Sequence, residues 1–147
     1  MGCGKTFFGK KLAEKLGYPF HDLDELIEKE AGMSISELFE KYGEDEFRKL
    51  ERRVLLDHLN DTDTVISTGG GTSCFFDNMD LMDRHGVTVF LDTPVETIIG
   101  RLSVETNVRP ILKDIPKGEL HGFIKEHLEK RRVFYLQAAI RIESTEF

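Results

Sequence analysis

Long apolar runs are missing from this sequence. None approaches the ~20 residues that a membrane-spanning helix requires, and Lys5, Lys10 and Lys11 interrupt the apolar core that a secretion signal would need. Cysteine is scarce: Cys3 and Cys74 lack the spacing of a zinc site and read as reduced thiols of a cytosolic protein. Basic charge is in short supply too. With 20 lysines and arginines against 27 acidic residues, the net charge is −7, which argues against a broad nucleic-acid or anionic-membrane surface. The five histidines share no spacing that suits a metal or a triad. There is no internal repeat, low-complexity tract or interdomain linker. What is present is 147 residues, 39% hydrophobic and 32% charged, enough for one soluble domain, 1–147, with a core of its own. A cytoplasmic protein that handles small molecules is the class that remains.

Helical and strand patterns alternate along the chain. Phe8, Leu12 and Leu16 recur every four residues and Gly17 stops that helix. Pro19–Leu23 reads as a short strand ending in carboxylates. Helices are expected over Asp24–Ala31, over Ser34–Tyr42 with Ser34 and Glu37 as a capping box and Gly43 as its stop, and over Glu44–Leu59. Thr64–Thr68 is a β-branched run, Asn78–Arg84 a short helix and Val87–Leu91 a strand. A helix opens at Thr93-Pro94-Val95-Glu96, a polar loop covers 103–117, Leu120–Arg132 is helical and Ala139–Glu143 is a final strand. Such alternation implies an α/β fold with a parallel sheet covered by helices on both faces.

Gly2-Cys3-Gly4-Lys5-Thr6-Phe7 opens the first helix with the second half of a phosphate-binding loop, G-x-x-x-x-G-K-[ST]. Small residues let backbone amides face an anion at the positive end of a helix. The lysine would reach the outer phosphates and the hydroxyl would ligate Mg²⁺. The first glycine of the pattern would lie before residue 1, so chance is a competing account of three residues.

Further spacings add to it. Asp22 and Asp24, alternate residues at a strand's carboxyl end, can face one crevice; the plainer account is a strand end followed by an Asp24 helix cap. Arg48 and Glu51 share a helix face, and spacing alone favours a solvated ion pair over a carboxylate grip. Gly69-Gly70-Gly71 after a strand suggests a close backbone approach to something, with amides exposed at the strand's end, against a flexible turn. Arg109, in the long loop, is a candidate lid arginine or a solvated one. Lys130-Arg131-Arg132 could do no more than complement a helix dipole.

Taken together, Gly4-Lys5-Thr6, Asp22-x-Asp24, Phe47-Arg48-x-x-Glu51, Thr68-Gly69-Gly70-Gly71, Arg109-Pro110 and Lys130-Arg131 followed by Tyr135 resemble shikimate kinase in order and approximate spacing, from residue 2 to about 144. The resemblance implies a P-loop kinase fold and ATP-dependent phosphorylation of the shikimate 3-hydroxyl, on the route to chorismate. It implies that Gly2–Phe7 and Arg109 bind ATP, with Lys5, Asp24 and Arg109 catalytic and Thr6 and Asp22 holding Mg²⁺. Asp24, Arg48, Glu51, Gly69, Gly70, Gly71 and Arg131 would receive shikimate in a helical region of about 24–60 and its surroundings. Arg101 or a neighbour would lie against adenine. A monomer without nucleic-acid or membrane partners is expected. The family pattern also has a central strand leading into the phosphate loop, in order 2-3-1-4-5, and a closing segment after the last strand. Neither is found in these 147 residues, so a truncated chain is expected. A gluconate kinase-like enzyme and an inactive ATP-binding fragment are the alternatives.

Overall fold

Glycines in the left-handed region set the ends of the first helices. A computed structural model describes residues 2–104 and 115–143. Helix α1, Lys5–Leu16, starts after Gly4 (φ 86°) and ends at Gly17 (φ 69°), whose amide closes on Ala13 and Glu14 carbonyls. Gly9 is buried where α1 crosses the first strand: a Cβ there would lie 2.6 Å from the Phe20 ring, so the helix approaches the strand as closely as backbone allows.

Strand β1, Phe20–Asp22, runs directly into α2, Leu23–Ala31, and Gly32 (φ 68°) ends that helix. The expected capping box is present: Ser34 Oγ accepts from the Glu37 amide at 3.1 Å and Glu37 returns its carboxylate to the Ser34 amide at 2.8 Å. It starts α3, Ile35–His58, in which the two expected helices follow one another across a kink. Gly43 is that kink, at φ 81° and ψ 173°, where the first of the two was expected to stop. α2 and α3 share a core of Leu23, Ile27, Leu38, Phe47, Val54 and Leu55. Six such side chains are worth on the order of 10 kcal/mol of burial before entropy is charged.

Strand β2, Val65–Ser67, pairs in parallel with β1, Asp22 lying opposite Ser67. A 3₁₀ turn at Thr72–Cys74, which the sequence pattern did not disclose, follows the glycines and leads to α4, Asn78–His85. β3, Val89–Asp92, pairs in parallel with β4, Ile140–Glu143. Helix α5, Val95–Val104, extends into the stretch expected to be loop. After a 3₁₀ turn at Lys117–Glu119, α6 runs from Leu120 to Tyr135, three residues beyond its expected end. α5 and α6 bury Ile98 and Ile124, with Cys3, Leu102, Phe123 and Leu128 around them. The strands form two separate parallel pairs, β1–β2 and β3–β4, among the described residues. No helix among those residues is long and apolar enough to cross a membrane.

Candidate active site

The site is built where the two pairs' carboxyl ends meet the start of α1. The first helical bond of α1 runs from the Phe8 amide to the Gly4 carbonyl at 2.9 Å; the amides before it are the orphan donors that any helix start presents. They border a cavity of about 240 Å³ lined by Gly2, Cys3, Gly4, Lys5, Thr6 and Phe7 on one side and by Asp22, Asp24, Ser67, Thr68 and Gly69 on the other. The loop is pinned from α5's side of the molecule. Arg101 Nη1 donates to the Gly2 carbonyl at 3.0 Å and Thr93 Oγ1 to the Cys3 carbonyl at 3.3 Å. Lys5 Nζ rests 3.4 Å from Cys3 Sγ. Burial pushes the Cys3 thiol up more than any single neighbour lowers it, but the Lys5 charge, its hydrogen bonds and the further positive charge nearby together leave the thiol below its ordinary range.

Asp22, not Asp24, is the cap of α2. Its Oδ1 accepts from the Asp24 amide at 2.9 Å, while its Oδ2 lies 3.5 Å from Thr6 Oγ1. β1 ends at Asp22, so Asp24 reaches the cavity from the first turn of a helix and not by strand alternation. Its carboxylate lies against the glycine run: a Cβ on Gly69 would sit 3.4 Å from Asp24 Oδ1 and 3.5 Å from Glu51 Oε2.

The Arg48–Glu51 pair is buried, not solvated as spacing alone suggests. Arg48 is 7% exposed and Glu51 1%. Arg48 Nη1 donates to Glu51 Oε1 at 2.9 Å, and Thr72 Oγ1 donates to Glu51 Oε2 at the same distance. Burial raises the Glu51 pKa; Arg48 and Thr72 oppose it, and the nearby Asp24 charge adds to the rise. The guanidinium is closely packed. The Phe75 ring centroid lies 4.2 Å from Arg48 Cζ, and a Cβ on Gly71 would come within 2.5–2.8 Å of the guanidinium. A side chain at Gly71 would force the guanidinium to shift, so the glycine backbone approaches it closely. At the guanidinium's edge, Glu44 Oε1 lies 3.2 Å from Nη2.

The basic triplet on α6 divides three ways. Lys130 makes an exposed i,i+4 pair with Glu126 at 2.8 Å. Arg132 makes two parallel 2.8 Å bonds to Asp92, at the end of β3, and holds that carboxyl below the usual range. Arg131 sits beside the Tyr135 hydroxyl, and its charge is among those that oppose the burial that raises the Cys74 thiol.

Arg48, Glu51, Asp22, Asp24 and a glycine run thus gather beside a phosphate-type loop. The shikimate kinase family model matches residues 1–146. The chain belongs to the shikimate kinase family. It is 49% identical over 138 residues to a Bacteroides fragilis shikimate kinase, covering 94% of this chain and 77% of that one. It is 44% identical over 144 residues to the shikimate kinase of Parabacteroides distasonis, covering 98% and 83%. Its fold superposes on the crystal structure of the Bacteroides thetaiotaomicron shikimate kinase with a TM-score of 0.95 at 45% identity, covering all of this chain and 84% of the other. On the Acinetobacter baumannii shikimate kinase in complex with shikimate the TM-score is 0.92 at 35% identity, covering all of this chain and 80% of the other.

Within this shikimate kinase fold, Lys5, Thr6, Asp22, Asp24 and Gly69 share one cavity, with Arg48, Glu51 and Gly71 bonded or packed beside it. Arg109 lies outside the described residues. Arg101, expected near adenine, is committed to the Gly2 carbonyl. Thr72, Phe75, Asn78 and Tyr135 had no assigned role in the pattern reading. Asn78 is fully buried, donates to the Thr72 carbonyl at 2.8 Å and accepts from Arg52 at 2.9 Å. The only signal available for Thr72 was its place directly after the glycines. For Mg²⁺ the donor set suits the ion: Thr6, Asp22 and Asp24 offer oxygen alone, and a hard cation that keeps several waters and phosphate oxygens needs few protein ligands.

Proposed function

We propose that the protein transfers the γ-phosphoryl group of ATP to the 3-hydroxyl of shikimate, giving shikimate 3-phosphate and ADP. The observation that carries it is the buried Arg48–Glu51–Thr72 cluster set beside the loop cavity. An acidic, hydroxylated ring gripped by its carboxylate at Arg48 and Arg131 would present a hydroxyl towards Asp24 and the phosphates. Each charge-assisted hydrogen bond contributes about 1.5–3 kcal/mol, so two arginines select an acid over a neutral polyol even in a chain of net charge −7.

The roles follow from what phosphoryl transfer needs. Its transition state is loose, so catalysis is mainly positioning and charge neutralisation. Loop amides and Lys5 would hold the phosphates, with Lys5 leaving Cys3 for the stronger anion. Asp24, against Gly69, would orient the attacking hydroxyl and accept its proton. Thr6 and Asp22 would hold Mg²⁺, which when bound neutralises charge on the phosphates. Glu51 fixes Arg48, and Arg109, assigned by motif position, would add charge at the transferring group. Two free thiols, Cys3 and Cys74, support a reducing cytoplasmic setting.

The test is ADP release with and without shikimate, with phosphorus NMR of the product. Shikimate-dependent ADP and a 3-phosphate resonance are expected, both lost in Lys5→Ala at unchanged circular dichroism. Near-normal turnover by Lys5→Ala would end the phosphate-loop reading.

A further inference from the structure

We propose that Tyr135 is a positioning residue for this reaction: its phenol fixes the Gly70 peptide and stands against Arg131, so that the glycine run and the second arginine are held in one arrangement. This rests on the shikimate-binding reading above. Tyr135 ends α6 four residues after Arg131, on the same helix face. Its hydroxyl donates to the Gly70 carbonyl, 65 residues away in sequence.

Three consecutive glycines have the widest backbone freedom of any tripeptide, so something outside the run must define their peptide planes. The carbonyl of Gly70 and the amide of Gly71 belong to one planar trans peptide and point in opposite directions. A donor that captures the first therefore sets the direction of the second. The phenol is itself held firmly. Its ring lies 5.2 Å from that of Phe90 on β3. Burial pushes its pKa up to about 12 despite the neighbouring Arg131 charge, so the donor proton stays in place at any pH the enzyme would meet.

The hydroxyl's hydrogen bond is to the glycine run, so its effect is expected on shikimate before nucleotide. Tyr135→Phe keeps the ring and removes only the donor. In that variant of the full chain, shikimate affinity measured by calorimetry should fall five- to twentyfold, while ATP affinity stays within twofold. Amide hydrogen exchange without ligand should accelerate at Thr72 and Cys74, whose amides bond to the Gly69 and Gly71 carbonyls. Unchanged shikimate affinity, or equal losses for both ligands, would overturn the role. Should the unmutated chain bind no shikimate, the functional reading fails by itself, and the exchange measurement then decides the clamp: unaltered rates at Thr72 and Cys74 refute it.

Discussion

Thr72 Oγ1 donates to Glu51 Oε2 at 2.9 Å, and both residues are essentially inaccessible to solvent. That bond ties α3 to the turn after the glycine run and occupies the oxygen that Arg48 leaves open. Thr72→Val keeps shape and removes the donor. It should cost about 1–3 kcal/mol of stability, the usual penalty of an unsatisfied buried acceptor, read from chemical denaturation. A change below ~0.3 kcal/mol would mean that Glu51 finds another donor.

Arg48→Ala removes the charge that compensates buried Glu51, so a loss of about 3–5 kcal/mol is expected. Adding Glu51→Gln should restore much of that stability without restoring shikimate affinity. ATP affinity should change little in either variant. Calorimetry with each ligand checks this, and parallel loss of both affinities would contradict the assigned role.

Gly71→Ala places a methyl group 2.5–2.8 Å from the Arg48 guanidinium, closer than any non-bonded contact permits. The arginine must move. KM for shikimate should rise at least tenfold with KM for ATP near its starting value, in steady-state assays. Gly86→Ala, where a Cβ meets nothing within 4 Å, is the control and should leave both unchanged.

His127 carries a pH dependence. Burial, then the Arg131 charge, lowers its pKa from 6.5 to about 4, and Nε2 has no hydrogen-bond partner among the described residues. The folded state resists protonation that the unfolded chain accepts below its ordinary value. Stability is therefore complete above pH ~6.5 and declines as pH falls towards 4. His127→Phe, which can keep the stacking on Phe123, should flatten that part of a melting-temperature profile. An unchanged slope between pH 6.5 and 4 would exclude His127 as its source.

Much of this molecule could be read from residue order. Alternating patterns gave the helices and strands to within a few residues, because Gly17, Gly32 and Gly43 take left-handed angles that mark ends in any context. The Ser34–Glu37 box worked for the same reason: its bonds are local. What escaped depended on tertiary packing. Spacing cannot distinguish a solvated Arg48–Glu51 pair from a buried one; Phe75, Gly71 and Thr72 do that, and they arrive from over twenty residues away. The split of Lys130-Arg131-Arg132 into surface pair, Tyr135 neighbour and Asp92 anchor likewise depends on what α6 packs against. Asp24 was correctly put at the crevice for a wrong geometric reason.

Arg101 on Gly2, Thr93 on Cys3 and Tyr135 on Gly70 have one thing in common: each donates to a main-chain carbonyl. The backbone shape of the phosphate-type loop and of the glycine run is therefore set in part by α5, by the residue after β3 and by the end of α6. A substitution in those distant elements would be felt at the site without touching a ligand.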